Sequence, residues 1–205
     1  MAYNKEFLNT PIGRVLAESR DILKLLYEDV ELAERMWREQ DSQFWRRTFI
    51  RSVFALIEGF TYRLKQVALE ASKKFSIELS KSEIALLLEE SYEVNDKGQA
   101  ETRPDYIQLP RNIRFAFRMY SLAYGINYQL KIDDDGWLSF KEALKVRNRL
   151  THPKSTDDVS VSAEDMSHAE KAAIWFVRSS DEIQRAMIEE MKVKIEAKKR
   201  ASPPP

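Results

Sequence analysis

The chain has 205 residues, long enough to bury a substantial core as one domain or one domain with an insertion. Its 33 basic and 33 acidic residues cancel to a formal charge of zero, although charged residues make up 32% of the chain. With no Cys, two His and five Gly, the composition excludes thiol catalysis, disulfide frameworks, Cys-ligated metal centres and glycine-rich phosphate loops. Imidazole chemistry is left to His152 or His168.

The first thirteen residues lack the apolar run of a signal peptide. No stretch approaches the roughly 18 uninterrupted apolar residues of a membrane span, so a soluble, cytoplasmic protein without membrane contact is expected. From Pro11 to about Arg38, Val15, Leu16, Leu23, Leu26, Val30, Ala33 and Trp37 recur at helical spacing. A second helix is expected over about 41–74, where Phe49, Val53, Phe54, Ile57, Phe60, Leu64, Val67 and Ala71 keep the same period and Gly59 is the weak point. Ser80 and Glu83 have capping-box spacing ahead of a short third helix.

Between about 92 and 110 the pattern breaks. Asn95-Asp96-Lys97-Gly98 offers a turn between short extended pieces, which predicts an insertion holding a small hairpin. Helical spacing returns from Arg111 to about Leu130. Ser139 and Glu142 have the spacing of another capping box, expected to open a helix that Pro153 stops. The last long helix is expected to start at Ser162 and bury Ala169, Ala172, Ala173, Phe176, Ile183, Met187 and Met191. These elements predict an all-α protein: an up-and-down bundle of about five to six helices forming one domain over 1–200, with residues 201–205 as a disordered tail.

One segment concentrates the features that chemistry needs. Residues 141–154 hold five bases and one acid, whereas 18–41 hold eight acids and four bases. A positive stretch beside the scarce His152 suits an anionic, phosphate-bearing substrate. On a continuous helix Arg147 and His152 would lie roughly 140° apart around the axis. Pro153 disfavours helical backbone at His152, placing the imidazole on the turn that leaves the helix, with Asn148 four residues before it.

Arg147-Asn148-Arg149-Leu150-Thr151-His152 resembles the Arg, polar residue, several residues, His signature of the HEPN superfamily, helical-bundle proteins many of which are metal-independent ribonucleases. The resemblance extends over about 14–195, because HEPN domains carry this motif near the end of a late helix, behind a long helix pair. It implies a homodimer in which two motifs face each other and cut RNA without cofactor or metal, as a toxin or antiphage effector. Arg147 would bind and polarise the scissile phosphate, His152 would act as general acid/base, and Asn148 would orient one of them or the substrate. Arg149, Lys154 and Lys145 would contact RNA phosphates. The RNA's own 2′-hydroxyl would attack, leaving a 2′,3′-cyclic phosphate. The Tyr that follows the His in nucleotidylated HEPN toxins is missing after Pro153, Lys154 and Ser155, and any regulation is left to a protein partner or the insertion.

Plainer readings stand beside these. Arg147 and His152 can simply complement a helix C-terminus. Glu58 lies among Phe54, Ile57 and Phe60, and is expected either to pair with Arg51, to support Arg147, or to face solvent beside Gly59. Residues 131–142 approach a calcium-loop pattern, but Lys131 occupies the first ligand position, which favours a turn. His168 is expected at the surface, and the aromatic residues at helical spacing in the core. The rival to a ribonuclease is a non-catalytic HEPN-like module that binds a protein or a nucleotide, and a third reading is a purely structural bundle.

Overall fold

In the computed structural model, which describes residues 5–201, the chain is an all-α helical bundle with a small two-stranded insertion, and 75% of the described residues are helical. The described residues form seven α-helices, where five to six were expected: α1 (Lys5–Leu8), α2 (Pro11–Glu39), α3 (Gln43–Phe75), α4 (Lys81–Leu88), α5 (Leu109–Tyr124), α6 (Asp135–Thr151) and α7 (Ala163–Ala201). The insertion lies between α4 and α5 as strands β1 (Glu90–Val94) and β2 (Ala100–Pro104). No helix among the described residues is long and apolar enough to cross a membrane. Of the tail expected to be disordered, Ser202 to Pro205 lie outside the described residues.

The chain folds as two compact units. One gathers the residues up to Ala17, Thr61–Gln129 and those from Ile183 onward; the other gathers Glu18–Phe60 and Leu130–Glu182. The second unit is built on an aromatic cluster in which Trp137, Phe140, Trp175 and Phe176 contact one another in sequence, and Phe54 and Phe60 close on Phe140 and Phe176. Such pairs contribute about 0.5–1.5 kcal/mol each beyond the burial of their area.

The start of α6 departs from the capping-box expectation. Asp134, not Ser139, is the N-cap, and its carboxylate accepts the Trp137 N–H at 2.9 Å. Ser139 lies buried inside the helix, and Glu142 pairs with Lys145. Aspartate caps as well as serine does, and starting at Asp135 carries Trp137 and Phe140 on one helical run into the aromatic cluster. The acids resembling a calcium loop are engaged with cations: Asp134 with Arg178, Asp135 with Lys171.

In the first unit, α5 ends at Tyr124, six residues earlier than its apolar spacing suggests. Gly125 adopts the left-handed conformation there and donates back to Leu122 O at 3.1 Å, while Lys194 Nζ takes Tyr124 O at 2.6 Å. The insertion is rooted on Glu89, a non-glycine residue with φ 57°. Its carboxylate receives the fully buried Lys65 ammonium at 2.5 Å and Asn112 Nδ2 at 3.3 Å. This pair holds Glu89 in a conformation that costs an L-residue roughly 1–2 kcal/mol.

Two glycines separate helix propensity from packing. A Cβ on Gly136 would lie 2.5 Å from Trp175 Cβ, whereas one on Gly59 would meet only Leu26 Cδ1, the end of a flexible side chain, at 2.6 Å. Helix propensity alone favours alanine at both by roughly 1 kcal/mol. Gly136→Ala is expected to destabilise the protein by about 1–3 kcal/mol through overpacking against Trp175. Gly59→Ala should stay within about 1 kcal/mol of the parent. Urea denaturation of both variants checks the contrast.

Candidate functional site

Helix α6 delivers the motif. Its C-terminal turn runs through Arg147, Asn148 and Arg149 to Thr151, and His152 caps it with φ −128° and ψ 62°, its N–H donating to Asn148 O at 3.1 Å. Pro153 follows and cannot supply the next helical N–H. The His152 side chain is exposed, and its imidazole makes no hydrogen bond to any described residue.

Arg147 sits half-buried on the opposite footing. Its Nη2 donates to Glu58 Oε1 on α3 in a short contact, and its Nη1 donates to Asn148 Oδ1 at 3.2 Å. The guanidinium is therefore held in orientation by two acceptors, with its side chain 23% exposed. Glu58 is the anchor. Burial pushes its carboxyl above the ordinary value, and Arg147 pulls it only part of the way back. Of the three placements expected for Glu58, the geometry places it with Arg147.

Arg51 does not touch Glu58. Its Nη2 donates to Leu150 O at 3.1 Å, filling one of the carbonyls that a helix C-terminus leaves unpaired. Arg47 Nη1 takes Val159 O at 3.0 Å, and Arg46 Nη1 takes Val161 O at 2.9 Å while its other nitrogens hold Asp41. Gln43 bonds the Val161 backbone in both directions. One row of α3 thus clamps the carbonyls of the segment leaving α6. Inside that segment the Asp158 carboxylate accepts the N–H groups of Lys154 and Ser155, which holds it below the usual carboxylate range.

Arg149, which the resemblance gives an RNA-phosphate contact, donates from Nη1 to Asp158 O at 2.7 Å and to Ser160 O, and from Nη2 to Asp165 Oδ2 at 2.6 Å. Asp165 belongs to a capping box that opens α7: it accepts the Ser162 N–H, and its own N–H donates to Ser162 Oγ. Lys145 is paired with Glu142 at 2.8 Å on the exposed face of α6. Lys154 is exposed in the clamped segment. The positive stretch read along 141–154 is therefore largely answered by Glu58, Glu142 and Asp165.

His168 is half-buried, where a surface position was expected. Its Nδ1 lies 3.4 Å from Ser139 Oγ and its Nε2 4.0 Å from Glu164. Among the described residues, no group of three His, Asp or Glu side chains comes together as a metal site. Arg46, Arg47 and Gln43 escape a motif search. Gln43 and Arg47 belong to a polar row with Arg51 and Glu58, at four- and seven-residue steps along the helix, and Arg46 lies next to it.

The protein is thus a helical bundle with an anchored arginine and an unengaged histidine one turn apart at a clamped helix end. No protein-family model, curated protein or solved structure matches the chain.

The clamp separates motif residues that differ little in sequence. Arg149→Ala is expected to cost about 2–3 kcal/mol, because it strips charged hydrogen bonds from Asp165 and two carbonyls. Lys154→Ala should fall within about 0.5 kcal/mol of the parent in the same urea titration. A carboxyl whose folded pKa is raised binds its proton more readily folded than unfolded, so its contribution grows as pH falls through the raised value toward the unfolded one, about 4.5. Between neutral pH and that value, the parent should gain stability relative to Glu58→Gln, as read from melting curves of the two proteins across the range.

Proposed function

We propose that the protein is a metal-independent endoribonuclease of HEPN type, acting as a homodimer with a composite Arg/His site. The observation that carries this reading is the pairing at the end of α6: a guanidinium held by Glu58 and Asn148, and one turn later an exposed imidazole with no hydrogen-bond partner among the described residues.

Each group suits one task in cutting RNA. The guanidinium of Arg147 is planar and always charged, and offers paired donors to the oxygens of a scissile phosphate. Its contact with Glu58 fixes the direction in which the remaining donors point. The imidazole of His152 can take the proton of the 2′-hydroxyl as that oxygen attacks phosphorus, or return one to the 5′-oxygen as its bond to phosphorus breaks. The products are a 2′,3′-cyclic phosphate and a 5′-hydroxyl.

Attacking and leaving oxygens lie roughly in line on opposite sides of phosphorus. A single imidazole does not reach both at once, and each chain offers one. Two copies of the motif across a cleft supply the pair, which is the physical reason for the dimer in this reading. Asn148, already bonded to Arg147, orients the guanidinium.

The neutralisation of the 141–154 stretch favours the rival, a HEPN-like module that binds a protein or nucleotide without cutting. Incubation of the purified protein with total RNA in EDTA separates the two. The ribonuclease reading expects cleavage products ending in 2′,3′-cyclic phosphate. His152→Ala and Arg147→Ala, both folded, should each lose roughly 10²-fold or more of the rate. Absence of cleavage by the parent, or equal cleavage by the variants, overturns the reading.

A further inference from the structure

The first unit holds a cavity of about 220 Å³ between the end of α3 and α4. Leu69 on α3, Ile77 and Leu79 on the connection, and Ile84 and Leu88 on α4 line it with aliphatic carbon. Ile84 and Leu88 are exposed, so it opens to solvent. Backbone geometry sets the walls. Ser76 takes φ 55° just past α3, its N–H returns to Lys73 O at 3.4 Å and the Ile77 N–H to Ser72 O at 2.9 Å, so the chain turns back and brings Ile77 beside the helix it has left. Helix α4 is tied to α3 by Gln66 Nε2 on Leu87 O and Lys65 Nζ on Leu86 O. A cavity framed in this way exists before anything enters it.

Ser72 also lines the cavity, and its hydroxyl is unsatisfied there. The residue is 2% exposed, yet Oγ has no hydrogen-bond partner among the described residues. A hydroxyl inside a helix ordinarily returns its hydrogen to the carbonyl four residues back. Ser121 does so to Phe117 O at 2.9 Å, and Ser180 to Phe176 O at 2.8 Å. Ser72 does not, which leaves a buried donor and acceptor beside an aliphatic cavity. Water answers this poorly, because an ordered buried water makes about three hydrogen bonds and the hydroxyl offers one partner.

We infer that the cavity binds a small uncharged aliphatic molecule with one hydroxyl or carbonyl group, its oxygen on Ser72 Oγ and its hydrocarbon along the leucine and isoleucine walls. Size follows from volume. An apolar cavity of about 150 Å³ takes benzene, so this one suits roughly seven to nine non-hydrogen atoms. Neutrality follows from the lining. Lys73 is its one charged residue, and the ammonium is held by Glu70 at 2.6 Å. An ionised carboxylate beside Ser72 would give up its hydration for a single hydroxyl. The cavity belongs to the first unit and Arg147 and His152 to the second, so the inference does not rest on the ribonuclease reading.

Titration of the isotope-labelled full chain with n-heptanol, followed by amide NMR, tests it. Amide shifts should saturate with a Kd on the order of 1 mM or below, and the largest should fall within residues 69–88, which frame the cavity. Heptanoate, the charged analogue of the same length, should bind at least roughly tenfold more weakly. Ser72→Ala puts the better helix former in α3, and its circular dichroism should match that of the parent. It should weaken n-heptanol by roughly three- to tenfold, the worth of one hydrogen bond. No saturable shift up to roughly 10 mM, shifts centred outside the cavity, heptanoate bound as tightly as the alcohol, or unchanged affinity in Ser72→Ala each overturn the inference.

Discussion

The candidate site depends on a single solution to the problem of unpaired carbonyls. Where α6 ends, the last helical C=O groups lack intrahelical partners, and Pro153 removes a backbone donor. Arginine answers this four times. Arg46, Arg47 and Arg51 reach across from α3, Arg149 reaches forward from α6, and together they donate to carbonyls between Leu150 and Val161. A guanidinium offers five N–H donors in a rigid plane, so it can bridge acceptors that no lysine could serve together. The location of His152 follows from this clamp, because the imidazole sits where the clamped segment leaves the helix.

The clamp also changes the meaning of the chain's charge. Read along the sequence, 141–154 is a positive stretch facing an acidic 18–41. In the fold, three of the five bases are paired with carboxylates, Lys145 with Glu142 inside the stretch and the other two with acids outside it, of which Glu58 lies 89 residues away. What remains is Lys141, Lys154 and the Arg147 donors not taken by Glu58 or Asn148, the last aimed by them. A small number of oriented donors is a different device from a diffuse basic patch, and it suits positioning of one phosphate better than long-range attraction.

Much of the architecture was legible in the residues. Apolar periodicity placed α2, α3 and α7 to within a few residues, because long amphipathic helices repeat their signal many times. The turn at Asn95 to Gly98 located the hairpin, since few residue types tolerate that backbone. Boundaries set by one local choice were less legible. Asp134 and Ser139 both offer a cap, and only the demand that Trp137 and Phe140 enter the aromatic cluster selects Asp134. Gly125 ends α5 although apolar residues continue past it, and Tyr128 still packs on Phe117 from outside the helix.

For the site, the sequence by itself determined the residue types at the helix end, the proline stop, and the scarcity that makes His152 the candidate imidazole. These are properties of neighbours in the chain, where spacing fixes geometry to within a turn. Only the tertiary structure decided that Glu58 holds Arg147, that Arg51 and Arg149 serve carbonyls, and that Lys145 is answered by its neighbour. An arginine reads the same in sequence whether its donors are free or spent, because what it bonds is set by which helix packs beside it.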